Sequence, residues 1–162
     1  MNIFIIVSNI LLVIHYLQHK RTKNFNTWLI VLGYFALFIN SVKEYSEKEK
    51  LKNNNIKDNL KEEINHGELI GYSLLLSYYI ITITDPIYKN YFHSYDYLAV
   101  IGFAVGIIIR LVQTKSKLLS NIEYVSFIAF YTLYAESHTN NAEYFAVIGA
   151  LLSVGYFHQL LN

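Results

Sequence analysis

The sequence has no cysteine and a single proline, Pro86, in 162 residues. The first absence excludes disulfides, thiolate metal sites and cysteine nucleophiles. The second leaves long stretches with nothing to break a helix. Charge is scarce too: 15% of residues are charged and 54% are hydrophobic, whereas soluble domains carry about a quarter charged residues. A formal net charge of +1 supplies no electrostatic footprint for nucleic acid. No glycine-rich phosphate loop occurs, and no serine stands beside a recognisable base, so neither phosphate-loop nor serine-nucleophile chemistry is supported. Met1 is followed by Asn2, Ile3 and Phe4 without a basic start, and no small-residue pattern follows Ile14; a cleaved signal peptide is not expected.

What is present is apolar sequence in blocks. Six segments, about 2–18, 26–43, 68–86, 96–113, 119–136 and 143–161, are separated by polar turns. Each lies near the roughly 20 residues that cross a bilayer. The expected fold is therefore all-α, a polytopic membrane bundle of about six transmembrane helices built as three helical hairpins, with residues 1–162 forming one transmembrane domain. Asn26 or Thr27 is placed to cap the second helix, and Trp28 to anchor it at the interface. Asp85-Pro86 marks a turn. Tyr88, Tyr91, Phe92 and Tyr95 in the loop after it read as an aromatic belt. The fifth helix is expected to end near Glu136, and residues 137–142 to form a polar loop.

Residues 43–67 differ. Opposite charges three and four apart, from Lys43 to Lys50 and again after Asn55, support helix, and Ile56, Leu60 and Ile64 form a thin apolar stripe. This stretch is expected to be a charged linker helix between hairpins 1 and 2, stopped at Gly67.

Internal repetition is visible when Gly33, Gly102 and Gly149 are aligned. Trp28, Tyr97 and Tyr144 lie five residues before them, and Val31, Val100 and Val147 lie two before. The unit is one helical hairpin, with the second and third copies matching best. Ala99, Gly102 and Gly106 fall on one helical face, as do Ala146, Gly149 and Ser153. Faces of small residues are where helices approach closely in lipid.

Basic residues favour the side carrying both termini and both linkers, with Lys43, Lys48, Lys50, Lys52, Lys57, Lys61, Arg110, Lys115 and Lys117. That side is expected to be cytoplasmic, or its equivalent in an organelle inner membrane. Arg110 itself, near a helix end, reads as snorkelling to the boundary. The opposite side, at the hairpin tips, collects Asp96, Glu136, His138 and Glu143 as a candidate polar mouth, with His15, His19, Asp85 and His93 nearby. Asp96 and Glu143 also suit helix starts, where capping and the helix dipole favour an acid. His15 and His19, four apart, have a spacing that brings two imidazoles to one metal, but no zinc-protease pattern accompanies them, so no metal and no cofactor is expected. The expected function is a pore or transport component, acting as a homo-oligomer, with the lipid bilayer as its main partner. The alternative is a non-catalytic subunit or effector of a larger membrane complex, docking through residues 43–67.

Overall fold

In the computed structural model, residues 2–18, 24–53 and 65–161 are described. They form six α-helices: α1 (Asn2–Gln18), α2 (Phe25–Asn53), α3 (His66–Thr84), α4 (Asp96–Val112), α5 (Lys117–Asn140) and α6 (Tyr144–Leu160). A short 3-10 helix, Pro86–Tyr91, joins α3 to α4, and no strand occurs among the described residues.

The helix ends have local causes. Asn24 opens α2, its side chain accepting from the Thr27 amide at 3.1 Å. Asn26 and Thr27, the expected caps, are buried instead, and the Asn26 amide donates to Thr82 Oγ1 at 3.1 Å. Asn65 caps α3 by accepting from the Glu68 amide at 3.1 Å. Gly67 therefore lies in the first turn of α3 and stops nothing. Lys43 to Asn53 are the far end of α2 rather than a separate linker helix, because no helix breaker interrupts them; residues 54–64 lie outside the described residues, as do His19 and the basic cluster at 20–23. Similarly, α5 continues past Glu136 to Asn140. Pro86 starts the 3-10 helix, where its missing N–H costs nothing, and Asp85 Oδ1 accepts from the Ile87 amide at 3.0 Å.

Each helix packs on its neighbours in sequence, and α6 packs on α1, so the six helices close into a ring. In a regular ring with neighbours about 8–10 Å apart, opposite helices stand about twice as far apart, and only long side chains meet across the middle. The chain's 15 tyrosines and 10 phenylalanines supply them. Tyr34 of α2 reaches Tyr131 of the opposite helix α5, hydroxyl to hydroxyl, at 3.0 Å; Tyr16 of α1 reaches Tyr134 of α5, next but one in the ring, at 2.8 Å. Phe103, Phe127, Phe130 and Tyr79 pack edge-on and stacked between them.

The aligned glycines occupy equivalent places in this ring. A Cβ on Gly33 of α2 would lie 2.7 Å from Leu75 of α3, one on Gly102 of α4 2.7 Å from Phe127 of α5, and one on Gly149 of α6 3.1 Å from Leu12 of α1. Three times, then, the second helix of one pair seats a fully buried side chain from the first helix of the next. Ala99, Gly102, Gly106, Ala146, Gly149 and Ser153 are all buried. On α4 the space they leave is filled by rings and a carboxylate; on α6 a neighbouring backbone also comes close, the Ser8 carbonyl lying 3.3 Å from a Cβ built on Gly149.

By length and composition two helices are able to cross a membrane, Phe25–Lys52 within α2 and His66–Thr84. The other four expected spans fall short: α1, α4 and α6 have 17 residues each, and α5, though 24 residues long, is not apolar enough.

The seats yield a prediction. Gly102→Ala forces its methyl against Phe127, a ring locked by Tyr72, Phe103 and Phe157, and is expected to destabilise by about 1–3 kcal/mol. Gly155→Ala meets nothing closer than Phe4 at 3.6 Å and is expected to be neutral or to stabilise by up to about 1 kcal/mol. Thermal unfolding in detergent measures both; equal gains would remove the seat at Gly102 from the account.

Candidate functional site

The ring is hollow at both ends. The connections between paired helices mark one end, called here the tip end; the chain termini and the connections between pairs mark the linker end. At the linker end a cavity of about 230 Å³ is lined by Asn9, Ser41, Glu44, Glu68, Tyr72 and Arg110, among others. At the tip end a second cavity, of about 210 Å³, is lined by residues that include His15, Tyr95, Asp96, Ser137, His138 and Glu143. The paired tyrosines and their phenylalanine neighbours fill the ring between them.

Arg110 organises the linker end. It is 19% exposed and turned inward, not outward to the boundary. One guanidinium nitrogen donates to Glu123 Oε1 at 3.0 Å and to the Gly106 carbonyl at 2.9 Å, and Nε donates to Glu68. The guanidinium lies 4.5 Å from the centre of the Tyr72 ring, and the Tyr72 hydroxyl donates to Glu123 at 3.1 Å. Glu123 is 1% exposed. Gly106 makes room for the cluster, since a Cβ there would meet Tyr72 at 2.5 Å and Glu123 at 2.8 Å. Glu123 was legible in principle, since an acid inside the apolar stretch 119–136 needs a partner.

At the tip end, three of the four expected mouth residues line one cavity: Asp96, His138 and Glu143. Glu136 is exposed and does not line it. Asp96 acts as a helix-start acid, reaching back to an amide three residues earlier, whereas Glu143 does not cap its helix. Asp96 is buried and accepts from the His93 amide at 2.9 Å. Glu143 stands at the start of α6 without a side-chain capping bond, and its carboxylate lies 3.2 Å from His15 Nε2. His138 comes from the end of α5, where its Nδ1 lies 2.8 Å from the Tyr134 carbonyl. His15, His138 and Glu143 together bring one potential ligand atom each to within 4.8 Å of one another. In sequence His15 stands more than a hundred residues from the other two, so no local spacing connects them. Burial pushes the Tyr95 phenol on the same wall up to about 12, so it stays a neutral hydroxyl at physiological pH.

No protein-family model matches the chain, and no curated protein or solved structure is significantly similar to it.

Removing one member of a buried charge cluster leaves the rest uncompensated. Arg110→Met is expected to cost roughly 3–5 kcal/mol, because Glu123 then loses its cation. Arg110→Met with Glu123→Leu is expected to recover most of that loss. Unfolding midpoints of the single and double variants decide the matter: a double variant as unstable as the single one would mean that the cost is packing, not charge.

Proposed function

We propose that the chain is a six-span integral membrane protein of three helical hairpins, acting as a transport component for a small polar or cationic solute. The observation that carries this reading is a pair of polar cavities at opposite ends of a closed helix ring, with a tyrosine-bridged aromatic layer between them. Two end cavities around a plug suit a gated or alternating carrier better than an open pore.

The membrane part of the reading is supported by an inside-out distribution. Ser8, Asn9, His15, Asn26, Thr27, Ser41, Thr82, Asp96, Glu123 and Ser153 are buried, while Ile3, Val7, Leu32, Phe35, Ile39, Ile70, Ile80, Ile101, Ile108, Val125, Ile148 and Leu151 are exposed on every face of the ring. Water would drive the opposite sorting; lipid tolerates the apolar exterior and leaves polar groups to find each other inside. Helices of 17 residues sit at the lower bound of the roughly 17–25 residues that span a bilayer. The tip-end cavity is the mouth in this reading, with Asp96, His138 and Glu143 on its wall. In this reading the linker end faces the cytoplasm or its equivalent, since Lys43, Lys48, Lys50, Lys52, Arg110, Lys115 and Lys117 belong to it, with Lys57 and Lys61 of the same connection in sequence, against Lys20, Arg21, Lys23 and Lys89 on the tip side.

A second reading, a subunit of a larger membrane complex, is favoured by one feature. The end of α2 beyond Glu44 carries Glu47, Lys48, Glu49, Lys50 and Lys52, all exposed, a helix end charged on all sides and available to a partner.

The test uses reconstituted vesicles and the absence of native cysteine. Single cysteines at Lys48 and Lys89 are expected to label from opposite sides of the membrane; labelling from one side would end the six-span reading. Purified protein is expected to conduct cations above empty vesicles. Asp96→Asn and Glu143→Gln are expected to lower that flux about tenfold or more, since an acidic mouth concentrates cations, while Glu136→Gln leaves it unchanged. No flux from a correctly folded oligomer would transfer support to the subunit reading, in which a flexible Gly/Ser replacement of residues 46–63 abolishes co-purification but not insertion.

A further inference from the structure

We propose that His15, His138 and Glu143 form a binding site for one divalent transition-metal ion of the zinc class. The inference goes beyond the transport reading and does not need it, because binding is measured without flux.

The donor set is the first reason. Two imidazoles and one carboxylate are the ligands that suit zinc and its first-row neighbours, and three protein ligands leave a fourth position for water or a solute. All three residues share the wall of the tip-end cavity, from which a solute could reach that position.

The geometry is the second reason. Metal–ligand bonds of about 2.0–2.1 Å in a tetrahedral site set ligand atoms about 3.3 Å apart. His15 Nε2 and Glu143 Oε2 stand 3.2 Å apart, already one edge of such a tetrahedron. The third ligand atom, from His138, lies within 4.8 Å of both. The two imidazole rings approach edge to face, with centroids 5.5 Å apart.

Preorganisation is the third. With Nδ1–H of His138 donating to the Tyr134 carbonyl at 2.8 Å, the lone pair rests on Nε2. This is the outer-shell bond that fixes the tautomer of a metal-binding histidine. Tyr134 also stacks on the His138 ring at 3.8 Å between centroids, which restricts its rotation. His15 is 6% exposed and braced edge-on by Tyr16 at 4.7 Å. Glu143 occupies a helix-start position yet turns its carboxylate away from the amides it would cap. An ion pair between His15 and Glu143 explains two of the three residues. It does not explain why the oriented histidine of a third element comes to the same point.

The experiment uses the full chain in detergent, stripped with a chelator and titrated with Co²⁺. One equivalent is expected to bind, with the visible absorption of a four- or five-coordinate cobalt centre, and Zn²⁺ is expected to displace it. Zn²⁺ should raise the unfolding temperature of the native protein. His138→Ala and Glu143→Gln are each expected to weaken Co²⁺ binding more than about 100-fold, beyond the loss typical of an outer-shell change. Glu136→Gln, at an exposed acid two residues before His138, is expected to bind as the native chain does. The Glu143→Gln variant keeps the side chain's size, so helical content and elution volume unchanged from native separate lost ligation from lost fold. Absence of any cobalt spectrum in the folded native protein, octahedral cobalt only, or undiminished binding by His138→Ala would each overturn the site and leave an ion pair.

Discussion

Closure of the ring depends on one kind of contact, a large buried side chain seated on a glycine of the preceding pair. Leu75 on Gly33, Phe127 on Gly102 and Leu12 on Gly149 repeat it around the ring. The last of these joins the two ends of the chain and is reinforced by polar bonds: Ser8 Oγ donates to the Gly149 carbonyl at 2.7 Å and meets Ser153 Oγ at 2.5 Å. Both serines are buried, where a hydroxyl without a partner costs about 1–3 kcal/mol. Together they find each other and a backbone acceptor, so the α1–α6 seam is specified by polarity as well as by shape. If that seam opened, both cavities would become clefts on an arc of helices.

The interior is polar for the same reason that it is aromatic. A ring of six helices leaves more space at its centre than aliphatic side chains fill, and tyrosine fills it while carrying a hydroxyl. Each hydroxyl then needs a partner, and the pairs Tyr34–Tyr131 and Tyr16–Tyr134 supply them across the ring. Arg110 with Glu68, Glu123 and Tyr72 is a stronger form of the same logic. Desolvating such a cluster costs several kcal/mol per ion, so an apolar replacement of similar volume would serve stability as well. Its place beside a cavity of about 230 Å³ is an argument for a role at that cavity.

Much of the architecture was legible from the sequence because it rests on local signals. Six apolar blocks interrupted by polar turns correspond to six helices. The glycine alignment anticipated equivalent positions, although the first pair lacks the small residues around Gly33 that the others have. The misreadings have physical causes. Lys43 to Asn53 have a helical charge pattern but no break from the apolar part of α2, so composition changed where structure did not. Gly67 resembled a stop because glycine ends helices, yet Asn65 two residues earlier is the stronger signal, a start. At the candidate sites the missing information was partnership. Nothing near Arg110 in sequence indicates Glu68, and nothing near Glu143 indicates His15; both partners arrive only when the ring closes.

The two ends are held by different seams, and this bears on how a plugged ring would work as a carrier. The charge cluster at the linker end ties α3, α4 and α5 through Glu68, Arg110 and Glu123. The tip-end cluster ties α1, α5 and α6 through His15, His138 and Glu143. Only α5 belongs to both, and α5 is also the helix whose Tyr131 and Tyr134 reach across the plug. A ligand at the tip-end cluster would strengthen the contact between α1 and the α5–α6 pair without touching the bonds that hold α3 to α4. Loosening one end while the other stays closed therefore requires separate contacts to break, joined through a single helix. In the transport reading, alternating access asks for that arrangement.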